Sequence, residues 1–347
     1  MTAVTARVPA KVNLQLSVGP LRADGYHDLV TVFHAVSLFD EVTVASAERD
    51  SVVVTGEGEG SVPLDDSNLA LRAVTALVNA VGPGCRDAPG VSIEIRKRIP
   101  VAAGLAGGSA DAAAALVACN EMWGTALSQQ ELGEIGSQVG SDVGFALLGG
   151  TAIGLGRGDQ VTPALVTGTY HWVLAFSFGE LSTAAVYAAC DRIRASRGAR
   201  PSPPGRAGQS SPPGQAGQPA ATAQPRDAGG SANVPPVGPP NLNTALMAAL
   251  RSGDPAELGP LLSNDLQPAA LSLLPDLRRA LGAGREHEAL GAIVSGSGPT
   301  CAFLARDGRH ARDLAVALTG SGVCRTVATV VGPAPGATVI GVAAGQL

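Results

Sequence analysis

The sequence predicts an α+β protein in two halves, and three observations carry that prediction. Strand-like and helix-like segments recur on both sides of residue 170 without the steady strand and helix alternation of a doubly wound sheet. A length of 347 residues suits about two domains of ordinary size. With 45% hydrophobic but only 3% aromatic residues, the cores must be built mainly from Ala, Val and Leu.

Taken in chain order, VNLQLSV (12–18) alternates apolar and polar residues, giving a strand with Lys11 and Asn13 on one face and a following loop with Asp24, Gly25, Tyr26 and His27. EVTVAS (41–46) and SVVVTG (51–56) read as a strand pair. NLALRAVTALVNAVG (68–82) has helical spacing, begins after Asp66 and Ser67, and stops at Gly82. VSIEIRKRIP (91–100) is a half-buried strand, and SADAAAALVACNEMWG (109–124) a helix small enough in its side chains to lie close to a sheet. In the second half HWVLAFSF (171–178) is a buried strand, STAAVYAACDRIRAS (182–196) and NTALMAALRSG (243–253) are helices, and ALGAIVSGSGPTCAFLA (289–305) is a strand, a Gly-rich turn and a strand. Residues 196–240, almost wholly Pro, Gly, Ala, Ser and Gln, cannot bury enough surface to offset their ordering entropy and are expected to be a disordered insertion.

The net charge of -5 arises from 29 acidic and 24 basic residues mixed along the chain, without the basic face a nucleic-acid partner requires. Five cysteines, widely spaced and without a CxxC or Cys/His pairing, read as buried thiols of a reducing compartment. The first residues lack a basic and apolar leader, and no apolar run reaches the ~18 residues of a membrane span, so the expectation is a cytoplasmic protein with no membrane contact.

The stretch PVAAGLAGGSADAAAAL (100–116) joins a strand to a helix through small residues. Such a junction aims free backbone N–H groups and the positive end of a helix dipole at one point, with no side chains to hold a phosphate away. It lacks the GK[ST] of a Walker A loop and the GxGxxG of a dinucleotide site, so alone it also fits simple tight helix packing. Ser109 could cap the helix or reach phosphate or metal, and Asp111 suits the first turn. Asp142, among glycines in VGSDVGFALLGGTAIGLGRGD (139–159), and the second turn SGSGPT (295–300) are further candidates, each of which alone could be an ordinary turn.

Together AKVNL, GYH, the Pro-x-x-x-Gly-Leu-x-x-Gly-Ser loop from Pro100 to Ser109, and the late Gly-rich turn stand in the order found in the GHMP kinases, a family the chain resembles throughout except for 196–240. The resemblance implies an N-terminal ribosomal-protein-S5-like domain over 1–165 and a C-terminal ferredoxin-like α+β domain over 166–347. It implies ATP and Mg²⁺ as cofactors, a monomer or homodimer, and a small-molecule acceptor rather than RNA. The Lys-x-Asn and Gly-Tyr-His pair resembles the branch whose acceptor is the 2-hydroxyl of CDP-methylerythritol; a homoserine or mevalonate type is the alternative.

On this resemblance Asp142 is the general base and Lys11 its catalytic partner. Pro100, Val101, Ala102, Ala103, Gly104, Leu105, Ala106, Gly107, Gly108 and Ser109 wrap the ATP phosphates, with the Ser109 hydroxyl near Mg²⁺. Asn13, Tyr26, His27, Thr183 and Tyr187 bind the acceptor, the two tyrosines and the histidine reading its cytosine. Gly296, Ser297 and Gly298 close over the site. Ala102, Ala103 and Ala106 stand where the family often has glycine, and Gly144 where it often has proline.

Overall fold

The computed structural model describes residues 2–86, 88–198 and 238–344; most of the expected insertion, 199–237, lies outside the described residues. Two long strands, β1 (Thr2–Leu21) and β2 (His27–Ala47), pair antiparallel along almost their whole length. One face of β1 sends Val4, Ala6, Val8, Ala10, Val12 and Leu14 into the main core, while the other carries the buried polar residues Lys11, Asn13 and Gln15. A register shift between Asn13 and Gln15 breaks the ladder beside these polar groups, a place where bulges commonly re-aim side chains.

The first half continues with β3 (Ser51–Gly56), α1 (Leu69–Val81), β4 (Gly90–Lys97), α2 (Gly107–Met122), α3 (Gln129–Ser137), α4 (Val143–Leu148), β5 (Thr151–Gly156) and β6 (Gln160–Pro163). The second holds β7 (Tyr170–Phe176), α5 (Thr183–Gly198), α6 (Thr244–Ser252), α7 (Pro255–Leu258), β8 (Ser263–Asn264), α8 (Gln267–Leu273), α9 (Leu277–Glu286), β9 (Gly291–Val294), β10 (Cys301–Ala305), α10 (Gly308–Gly320), β11 (Thr326–Gly332) and β12 (Thr338–Ala344). One sheet runs β12-β1-β2-β4-β3, with β5 and β6 continuing from β2 and β8 short against β1; the second runs β11-β7-β10-β9. Strand β7 is buried on both faces. Tyr170, Trp172 and Leu174 join the core of the first sheet, and Val173 and Ala175 join the core under α5, α8, α9 and α10.

Helix α2 is buried almost all round, from Ala110 through Ala115 to Cys119, because its small side chains let α1, α4 and the sheet approach it together. The α1 start is capped by Asn68, whose side chain accepts from the N–H of Ala70 and Leu71.

Several expectations need correction. Segments 41–46 and 51–56 are not paired: β4 lies between them, antiparallel to β2 and parallel to β3. The link Glu48–Asp50 lacks tight-turn glycines, and Asp50 instead accepts from the Val91 N–H, anchoring β4 in the gap. Helix α2 begins at Gly107, two residues early, because Ala106 takes a left-handed conformation (φ 61°) and turns the chain there. Ser109 therefore lies inside the first turn and caps nothing, and Asp111 is buried against Lys97 at 2.7 Å. Strand β7 stops at Phe176, leaving Phe178 exposed, and α5 runs on to Gly198, past the expected start of the insertion at 196. His27 opens β2 instead of lying in the loop. Cys85, Cys119, Cys301 and Cys324 are thiols outside any disulfide, Cys85 only partly buried, and among the described residues no helix is long and apolar enough to cross a membrane.

Candidate active site

The polar face of β1 forms the floor of a cavity of about 340 Å³ bounded by both halves of the chain. Lys11 is buried there, and its Nζ donates to Asn13 Oδ1 at 2.7 Å and to the Gly104 carbonyl at 3.0 Å, with Asp142 Oδ2 at 3.9 Å. Burial lowers the Lys11 pKa from its ordinary value, and the Asp142 charge opposes that shift. Asn13 is fixed in turn by donating to Thr31 Oγ1 at 2.8 Å, and Thr31 donates to the Gln15 carbonyl at 2.7 Å. These bonds determine which way the Asn13 amide points and hold its oxygen toward the lysine.

Asp142 occupies the N-cap position of α4, where an Asp normally spends its carboxylate on the first N–H groups of the helix. It makes no such bond here, because its backbone is already helical (φ -87°, ψ -4°), and the carboxylate faces Lys11 across the cavity. Gly144, two residues on, has only ordinary van der Waals neighbours.

The loop from Pro100 to Gly108 wraps the other side. Ala102 (φ 52°), Gly104 (φ 75°) and Ala106 (φ 61°) all adopt left-handed backbone, so two of the three alanines that replace family glycines sit where glycine is conformationally preferred. A Cβ on Gly104 would collide with the Ser295 carbonyl, which is how closely the loop meets the 295–298 turn. Ser295 Oγ donates to the Gly104 carbonyl at 3.2 Å, and the Thr300 N–H to the Ala103 carbonyl at 3.4 Å. Gly296 lies directly over Lys11 and Asn13, and Ser297 Oγ is 2.9 Å from Thr183 Oγ1 at the start of α5. The first N–H groups of α2 have no helical carbonyl to bind and face this space. Ser109 lines the cavity with Asp142, whereas Leu105 is packed in the core and meets the site only through its carbonyl, which accepts from the Lys11 N–H at 3.3 Å.

Two further cavities adjoin. One of about 220 Å³ lies behind the loop, lined by Pro100, Val101, Asn68, Lys97 and Asp111. Lys97 Nζ there bridges Asp40 at 2.6 Å and Asp111 at 2.7 Å. Burial holds the Asp111 carboxyl well above the ordinary range; Lys97 opposes the shift and Asp40 reinforces it. The other cavity, about 900 Å³, contains Tyr26, His27, Tyr187 and Asp191. The rings of His27 and Tyr187 are 5.2 Å apart, and His27 Nε2 meets Asp191 Oδ1 at 3.0 Å. Tyr26 is half exposed at the rim, under the Arg157 guanidinium at 5.2 Å.

The candidate catalytic, loop and acceptor residues thus line one connected set of cavities, except Leu105 and Gly298, the latter packed toward Val294 and Leu181. Sequence reasoning missed Thr31, Asp191 and Arg157. Asp191 was findable as the residue one helical turn beyond Tyr187, and Arg157 as a lone charge between two glycines. Thr31 carries no local signal. Among the described residues no group of three His, Cys, Asp or Glu side chains gathers to hold a metal. The cavity nevertheless offers the Ser109 hydroxyl and Asp142 carboxylate, a sparse oxygen set that suits Mg²⁺ carried mainly by phosphates and water.

Residues 68–150 match the GHMP kinases N terminal domain and 246–323 the GHMP kinases C terminal domain. The chain is 49% identical to the 4-diphosphocytidyl-2-C-methyl-D-erythritol kinase of Thermobifida fusca, over 98% of this chain and 99% of that protein. It is 50% identical to the enzyme of the same name from Mycolicibacterium gilvum, over 97% and 92%. A solved 4-(cytidine 5'-diphospho)-2C-methyl-D-erythritol kinase superposes with a TM-score of 0.67 at 29% identity, over 94% of this chain and 98% of that one. A homoserine kinase from Cytophaga hutchinsonii shares the fold at a TM-score of 0.65 and 17% identity. The chain therefore belongs to the GHMP kinases, and within them to the 4-diphosphocytidyl-2-C-methyl-D-erythritol kinases.

Proposed function

We propose that this chain transfers the γ-phosphoryl group of ATP to the 2-hydroxyl of 4-diphosphocytidyl-2-C-methyl-D-erythritol, a step toward isoprenoid precursors by the non-mevalonate route. The observation that carries the assignment to this cavity is the Lys11 and Asp142 pair, 3.9 Å apart, between a Gly- and Ala-rich loop and an aromatic cavity. Phosphoryl transfer depends chiefly on positioning and on neutralising charge. The loop amides from Ala103 to Ser109 and the α2 terminus receive the phosphates, with the nucleoside in the 220 Å³ cavity behind them. The acceptor hydroxyl lies between Asp142, which takes its proton, and Lys11, whose cation steadies both the carboxylate and the developing alkoxide. Mg²⁺, when bound on the phosphates, supplies further charge neutralisation, with Ser109 and Asp142 the protein oxygens nearest to hand.

Cytosine enters the 900 Å³ cavity, where Tyr26 and Tyr187 offer ring faces and His27 offers its remaining ring nitrogen. Asp191 fixes the orientation of that imidazole. A homoserine or mevalonate acceptor has no base to fill this space. The expected result of Asp142→Asn is a fall in kcat of about 10²–10⁴-fold with ATP affinity unchanged, measured by single-turnover ADP formation and nucleotide titration. Turnover surviving in that variant contradicts the assignment of the base.

A further inference from the structure

We infer that Arg157 is the residue that recognises the diphosphate of the acceptor and thereby couples base recognition to placement of the reacting hydroxyl. The inference rests on the cytidine-diphosphate reading above. The cavity with Asp142 and the cavity with the aromatic residues share the lining residues Leu29, Ser141, Arg157, Thr183 and Tyr187. A ligand with its base in one and its hydroxyl at Asp142 in the other must pass its linking diphosphate along these shared residues. Arg157 is the only one of the five with a cation.

The guanidinium is suited to that place. Arg157 lies in the turn between β5 and β6, flanked by Gly156 (φ 68°) and Gly158 (φ 90°), and the Gly158 N–H to Leu155 carbonyl bond of 2.9 Å closes the turn. Asp159 accepts from the Arg157 backbone N–H at 3.1 Å and from Nη2 at a longer 3.4 Å, which tethers the side chain while leaving most of its five donors unspent. The planar group stacks 5.2 Å from the Tyr26 ring centre, so seating a base against Tyr26 and seating a phosphate on Arg157 order the same pair of side chains. Lys11 cannot substitute, since its ammonium is already engaged by Asn13, Gly104 and Asp142 at the far end of the cavity. Bidentate guanidinium to phosphate bonds are the strong, geometrically selective kind.

The test compares cytidine and CDP as ligands of wild-type protein and of Arg157→Met, each with a non-hydrolysable ATP analogue saturating the nucleotide site, by calorimetry. Arg157→Met keeps the apolar stem over Tyr26 and removes the charge. Wild type is expected to bind CDP more tightly than cytidine, and the variant to lose about 10- to 100-fold in CDP affinity with cytidine affinity nearly unchanged. Arg157→Lys should restore part of the CDP preference, because charge returns without the fork. For turnover, Arg157→Met should raise the KM for the CDP-linked acceptor more than it lowers kcat, with ATP affinity unaltered. An undiminished preference for CDP in Arg157→Met overturns the inference while leaving the cytidine reading intact. If wild type binds neither ligand, the cytidine reading fails and the inference with it. If both ligands weaken equally in Arg157→Met and Arg157→Lys, the residue is structural and the inference is likewise overturned.

Discussion

Lys11 shows how burial changes the state of a common residue. On an exposed strand it would be a hydrated surface charge, but β1 is covered on both faces and the ammonium is held by an amide oxygen, a carbonyl and a carboxylate. Burial makes its charged form harder to keep than that of an ordinary lysine, so its proton leaves below the usual lysine value of 10.5. In the role proposed for Lys11 the cation is the useful form, so kcat/KM should fall on an alkaline limb below that pH, and the limb should vanish from the residual activity of Lys11→Met. Tyr187 cannot cause such a limb, since burial, reinforced by the Asp142 charge, pushes its hydroxyl upward. A limb unchanged in the variant would assign it to some other group. Asp142 teaches a complementary lesson: its place at a helix start suggests a cap, and only the helical backbone at that residue frees the carboxylate.

Among the elements, the Gly- and Ala-rich loop from Pro100 to Ser109 is the most exacting. It makes three left-handed turns in five residues at Ala102, Gly104 and Ala106, and for the alanines that conformation costs about 1–2 kcal/mol each. Ala106→Gly should relieve that strain against a smaller entropy loss, for a net gain of about 0.5–1 kcal/mol in stability, read as a raised Tm. Gly104→Ala is the opposite case, since its Cβ would push the loop off the Ser295 carbonyl and separate the two halves of the site. That variant should lose both stability and ATP binding; full activity in Gly104→Ala would show that the close contact is dispensable. The place of this element, a small-residue junction between a strand and an alanine-rich helix, was legible in the sequence, although the junction by itself also fits tight helix packing. The helix start was not, since it depends on Ala106 taking a conformation that alanine rarely takes. Strand neighbours were misread for a similar reason: periodicity marks 41–46 and 51–56 as strands but says nothing of β4 entering between them.

At the scale of the whole molecule, the candidate site exists because β1 and β2 of one sheet lie against the second sheet and its helices. His34 marks the join. It extends from β2 with Nδ1 2.7 Å from Thr151 Oγ1 and packs against Tyr170 and Trp172 of β7. Burial depresses its pKa from 6.5 to about 3. The unfolded chain takes up that proton below about 6.5 while the folded chain refuses it until about 3, so stability falls as pH drops through this window, by about 1.4 kcal/mol per unit. His34→Asn should remove that share of acid sensitivity in urea titrations run between pH 4 and pH 7; an unchanged pH slope would contradict it. From sequence the two-part α+β fold and the loop, Lys11, Asn13, Asp142 and aromatic members of the lining could be read, because motif order and residue type are local facts. The joining of the aromatic cavity to the phosphate cavity through Arg157, and the return of β12 to pair with β1, depend on contacts far apart in the chain. The central claim is that one continuous site links ATP to a CDP-bearing acceptor. The measurement that tests it most directly is ADP release with ATP and Mg²⁺ over a panel of acceptors: 4-diphosphocytidyl-2-C-methyl-D-erythritol, homoserine, mevalonate and galactose. Turnover with the cytidine compound alone is the predicted result; turnover with another acceptor, and none with the cytidine compound, would contradict it.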